Sequence, residues 1–125
     1  MNKEFIPYEE AMALKELGFK EKCAAHYLDV DDLEFKWEIY RNLSINTSDC
    51  IQAPTFSQAF RFFREKYNLH YSIGVTNICV YHVPVSNYYT TGMIQDSKTY
   101  DEAELQCLKK FIETVKYNPH LWQNL

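Results

Sequence analysis

Chain breakers are scarce, with 3 Gly and 4 Pro among 125 residues. That scarcity leaves no Gly- or Pro-rich linker, and no Gly-rich phosphate loop or dinucleotide fingerprint is present. There is no internal repeat and no low-complexity stretch, so the chain reads as one domain over residues 1–125. No apolar run approaches the ~18–20 residues of a membrane span. Met1 to Tyr8 carries Lys3 and Glu4 and no apolar signal core, which points to a cytoplasmic protein without a membrane partner. The four cysteines, Cys23, Cys50, Cys79 and Cys107, form no C-x-x-C pair and read as reduced thiols. Catalytic signatures of the G-x-S-x-G and H-E-x-x-H kind are missing as well.

Positive charge is also in short supply. Thirteen Lys and Arg stand against 17 Asp and Glu, a net charge of -4. A protein that tracks a phosphate backbone needs a broad basic face, so extended nucleic acid is a poor partner. The deficit is local: residues 1–50 carry a balance of -5 and residues 51–125 a balance of +1. The run Asp29, Asp31, Asp32, Glu34 reads as a solvated turn rather than a nucleic-acid mimic. Glu9–Glu10 and Asp31–Asp32 stand at a helix start and in a turn, where carboxylates serve capping and solubility before acid–base chemistry.

What the chain does contain is strong helical and strand patterning. After Pro7, Tyr8, Ala11, Leu14 and Leu17 make one apolar stripe that Gly18 can close with a left-handed cap. From Pro54 to Tyr67, the residues Phe56, Ala59, Phe60, Phe63 and Tyr67 fall on one helical face. Pro54 suits the first helical position, whereas Thr55 and Gln58 have capping-box spacing and would start the helix later. From Tyr100 to Tyr117, Leu105, Leu108, Ile112 and Val115 give a core stripe, with Thr99 and Glu102 as a capping box. Strand-like segments lie at Cys23–Leu28, Phe35–Tyr40, His70–Val75, Ile78–Val83 and Tyr88–Ile94. Asn77 suits a turn, and Pro84 should end ladder pairing or mark an edge. The order α-β-β-α-β-β-(β)-α indicates an α+β fold, about three helices packed on a small, mostly antiparallel sheet.

Two C-x2-H pairs invite a metal reading: Cys23 with His26, and Cys79 with His82. Both lie in strand-like segments, where residues three apart point to opposite faces. Buried thiols and ordinary histidines are therefore the simpler expectation, with no metal and no cofactor.

Aromatic residues are abundant, with 10 Tyr, 8 Phe and 2 Trp. A core absorbs many of them, but Phe62 lies off the Phe56/Phe60/Phe63 face, and of consecutive Tyr88 and Tyr89 one must face away from the core. Arg61, Phe62, Arg64 and Tyr67 on the second helix, with His70, Tyr71, Tyr88 and Tyr89 on the following strands, combine stacking rings with anion-binding groups. A small anionic, nucleotide-like ligand needs that combination. The plainer alternative is a Tyr-rich core with a few exposed rings. Such a surface also suits a protein partner, and a homo-oligomer could place the site between copies.

Three segments, Phe5–Phe19, Ala53–Ile73 and Thr99–Lys116, resemble a group of small uncharacterised proteins of bacteriophages and mobile elements, chiefly of the Bacteroidota and gut viromes. They cover 54 of 125 residues, mostly helix and core. The resemblance implies no catalytic residue. It implies an accessory protein acting in the host cytoplasm, by binding a host protein or by sequestering a small signal molecule used in host defence.

Overall fold

The computed structural model describes residues 4–31, 36–41 and 51–122. In chain order the elements are α1 (Tyr8–Glu16), β1 (Ala25–Asp31), β2 (Lys36–Arg41), β3 (Ile51–Ala53), α2 (Phe56–Tyr67), β4 (His70–Ile73), β5 (Cys79–Val85), β6 (Tyr88–Ile94) and α3 (Tyr100–Tyr117), with a short 3-10 turn at Pro119–Leu121. The fold is α+β and the order anticipated from sequence holds, with β3 as an added strand. The strands form two antiparallel sheets, β2-β1-β3 and β4-β5-β6. No helix among the described residues is long and apolar enough to cross a membrane. Phe35, Asp32, Glu34 and Cys50 lie outside the described residues.

The chain divides into two compact units, Met1–Ala59 and Phe60–Leu125. In the first, α1 begins one residue after Pro7, which stands ahead of the helix at φ -62° rather than inside it. Gly18 closes α1 at φ 97°, and the Phe19 N–H returns to the Leu14 carbonyl at 2.9 Å, the left-handed closure that glycine permits. Phe5, Ala25 and Ala53 pack together with Tyr27 against them. The Tyr27 hydroxyl donates to the Ile6 carbonyl at 2.7 Å, and its ring meets Tyr8 edge-on.

Helix α2 starts after Thr55, not at Pro54. The Gln58 N–H donates to Thr55 Oγ1 at 3.1 Å, and the Thr55 N–H donates to Gln58 Oε1 at 3.0 Å. This reciprocal pair satisfies two backbone donors with side-chain oxygens, which proline does not have.

The second unit is built on β4-β5-β6 with α3 across one face. Its core is aromatic: Phe111 meets Phe60 and Phe63 with ring centroids 5.7 Å apart in both cases, and Phe60 lies 4.0 Å from Tyr71. Full burial of a ring stabilises by roughly 1.5–3 kcal/mol, so this cluster is a large share of the unit's stability. Thr99 caps α3 by accepting from the Glu102 N–H at 3.1 Å, while Glu102 Oε2 accepts from the Lys98 N–H at 3.0 Å.

Proline in the middle strand of a sheet would normally break the ladder. Pro84 escapes this because β4 is short. Strand β4 pairs with β5 only from Cys79 to His82, so at Pro84 the neighbour is Tyr89 on β6 alone. The missing N–H faces no strand: β5 is the middle strand, but at Pro84 it has a local edge, while its ladder with β6 continues to Val85.

Candidate functional site

Strand alternation sorts the second sheet into two faces. One row runs Tyr71, Tyr81, Gly92 across β4, β5 and β6; the next runs His70, His82, Thr91. Tyr71 packs on Phe60 and Phe111, so its row faces the core. His70, His82 and Thr91 therefore lie on the outer face, together with Tyr89.

On that face His70, His82 and Tyr89 line an open recess of about 330 Å³. Histidines 70 and 82 are direct cross-strand partners. Tyr89 meets the His70 ring edge-on, with centroids 5.9 Å apart. The His82 Nδ1 lies 3.0 Å from Thr91 Oγ1.

Asn68 ties this group together. It ends α2 in the left-handed region at φ 56°, a conformation asparagine tolerates better than most residues. Its N–H returns to the Arg64 carbonyl at 3.1 Å and the Leu69 N–H to the Phe63 carbonyl at 3.2 Å. The side chain then works outward. Nδ2 donates to the Tyr89 hydroxyl at 2.5 Å, and Oδ1 accepts from His70 Nε2 at 2.7 Å. The end of a helix thus fixes the orientation of two rings on the adjoining sheet.

The eight residues singled out from sequence separate into distinct surroundings. His70 and Tyr89 meet in the recess. Tyr71 turns to the core, where burial, and then the charge of Glu104, push its hydroxyl well above the usual tyrosine range. Tyr67 is buried among Phe62, Phe63 and Trp122. Phe62 is half-buried against Phe63 and Tyr67, with the Lys66 ammonium 5.3 Å from its centroid, so it is not a bare surface ring. Arg61 and Arg64 are exposed on α2 and do not line the recess, nor does Tyr88, which is exposed on β6. His82 and Asn68 belong to the group and were absent from the ligand set read from sequence. A cross-strand histidine pair is invisible until register is known, and Asn68 carried no signal beyond following a helix.

The two C-x2-H pairs fall in different units. Cys79 is buried on the core side of β5 and His82 is on the outer side, as residues three apart on a strand must be. The Cys23 thiol donates to the Glu21 carbonyl at 3.4 Å, and burial, then the Glu21 charge, push it up to about 12. His26 is buried on β1, with its Nδ1 lacking a hydrogen-bond partner among the described residues. Among the described residues no group of three or more His, Cys, Asp or Glu side chains is arranged to hold a metal ion.

Comparison with protein-family models, with curated proteins and with solved structures finds no match to this chain.

Proposed function

We propose that this chain is a non-catalytic binding protein that holds a small anionic, nucleotide-like ligand on the outer face of β4-β5-β6. The observation that carries the reading is the recess shared by His70, His82 and Tyr89. Its volume sits at the lower end of the range for small-molecule sites, roughly 300–1,000 Å³. Tyr89 offers a ring for stacking and a hydroxyl, and the ring nitrogens of His70 and His82 add polar groups to the same recess. The recess is open, so a second copy of the chain is a natural source of its missing wall. In the setting that the sequence resemblance suggests, such a protein would serve a phage or mobile element by sequestering a host signal.

The test begins with native mass spectrometry of freshly purified protein for a retained mass in the nucleotide range. Calorimetric titration with a nucleoside monophosphate follows. Tyr89→Ala and His82→Ala should each weaken binding at least tenfold, while Phe62→Ala leaves it unchanged. Equal affinity in all four proteins, or no binding to any nucleotide or inorganic phosphate, sinks this reading.

A second reading rests on β6. It is an edge strand, and Tyr88, Tyr89 and Met93 on it are exposed without a charged residue among them. Such an edge can accept a strand from another protein, consistent with a module that inhibits a host protein. Co-purification with one host protein, abolished by Thr91→Pro in a folded variant, would favour this reading over the ligand.

A further inference from the structure

The hydrogen bonds of the recess specify more than its shape. His70 Nε2 is bonded to Asn68 Oδ1, and an amide oxygen only accepts, so the proton of a neutral His70 ring sits on Nε2. Its lone pair is then on Nδ1. The His82 Nδ1 lies 3.0 Å from the Thr91 hydroxyl, which can accept its N–H; in that tautomer the lone pair is on Nε2, at the far end of the ring. Each imidazole is thus anchored by one nitrogen. Metal-ligating histidines are ordinarily anchored in this way, the second nitrogen donating to a carbonyl or another oxygen.

We propose that His70 and His82 form a two-histidine site for a divalent transition metal of the zinc type. Three observations converge on it: the two rings are direct cross-strand partners, both line one recess, and each has a separate oxygen that orients it. Imidazole suits zinc, copper and nickel rather than magnesium or calcium, which select oxygen. Two protein ligands leave about two of zinc's four usual positions open to water or to an oxygen of an anion. The proposal deepens the ligand reading, on which it rests for its occupant: a bound divalent metal would bring two positive charges to the recess. A site of this kind escapes a search for spaced ligands, because its members are twelve residues apart and meet through strand register.

The test uses zinc alone with the full chain. Long-range proton–nitrogen correlation of the histidine rings reports which imidazoles take the metal, and competition with a chromophoric chelator reports affinity. The rings of His70 and His82 should shift together at one zinc per chain, with those of His26 and His120 unmoved. His70→Ala and His82→Ala should each weaken binding at least tenfold. Thr91→Val, which removes only the anchoring hydroxyl, should weaken it by about tenfold or more if it behaves like other outer-shell partners. Zinc that leaves both rings unmoved, or binds within twofold as tightly to both alanine variants, overturns the site. If a variant does not fold, the ring shifts of the unaltered chain decide alone. Nucleoside monophosphate binding that persists in the presence of a chelator, with zinc ignoring both rings, removes the metal and keeps the ligand reading. Zinc on both rings with no nucleotide or phosphate binding does the reverse.

Discussion

The ring of Tyr81 occupies the space that a side chain at Gly92 would need. The two residues are cross-strand partners, and a Cβ at Gly92 would fall within the van der Waals envelope of the ring. The Lys110 ammonium of α3 lies 5.9 Å from the same ring, so Tyr81 is held between helix and strand. Gly92→Ala should therefore destabilise the fold by about 1–3 kcal/mol, the usual cost of forcing atoms into a filled space. Chemical denaturation checks this, and a Gly92→Ala/Tyr81→Ala double variant should recover part of the loss, since shortening the ring reopens the space.

Glu104 gives a pH dependence with a definite sign. Burial, and then the charge of Asp101, raise its carboxyl above the ordinary glutamate value. A carboxyl raised by folding contributes fully below its unfolded pKa, about 4.3, and that contribution is lost as pH rises through the folded value. Glu104→Gln should raise the Tm at pH 7, and the difference should close as the pH falls below about 4. An unchanged or lowered Tm at pH 7 would show that Glu104 is better accommodated as a charge than its surroundings suggest.

Buried thiols should be inert. Cys79 and Cys107 are fully buried, and their hydrogen bond, followed by burial, keeps Cys107 protonated far above the usual thiol range. The same hydrogen bond lowers the Cys79 thiol, so burial is what shields both sulfurs from reagent. Alkylation of these two residues at pH 8 should be slower than in denaturant by about 100-fold or more, limited by opening of the unit. Mass-mapped labelling over time measures it. Rapid native labelling of Cys107 would mean that α3 detaches readily from the sheet.

The hairpin between β5 and β6 carries local strain. Ser86 adopts φ 54°, a left-handed backbone angle in the two-residue connection from Val85 to Tyr88. Two-residue hairpin turns favour glycine or asparagine at such angles. Ser86→Gly should stabilise the chain by about 0.5–1 kcal/mol, relief of a non-glycine residue at positive φ less the entropy glycine gains on unfolding. Equilibrium urea denaturation reads the shift.

The helices were legible because their signals are local. Thr55 with Gln58 and Thr99 with Glu102 state a helix start within four residues, and the bonds they make match that spacing. The partition of strands into two sheets was not legible, because each segment offers only short runs of β-branched and aromatic residues. Pairing β3 with β1 requires contacts between residues far apart in sequence. At the candidate site, Tyr89 and His70 could be read as aromatic and polar groups near a helix end. Their union with His82 depends on register, which shifts every side chain to the other face if displaced by one residue. Tyr67 and Tyr71 illustrate the converse: tyrosine serves a core as readily as a surface, and composition alone does not separate the two.

The short connections on either side of β5 have a consequence for how the recess comes into being. Strand β4 joins β5 through a connection closed by the Asn77 N–H on the Gly74 carbonyl, and β5 joins β6 through two residues. Both hairpins close over short stretches of chain, so little loop entropy opposes them. Contacts between residues near in sequence also form fastest. His70, His82 and Thr91 can therefore be aligned by neighbouring segments before distant parts of the chain are committed. Were the proposed ligand present during synthesis, it would meet a nearly finished sheet face on the nascent polypeptide.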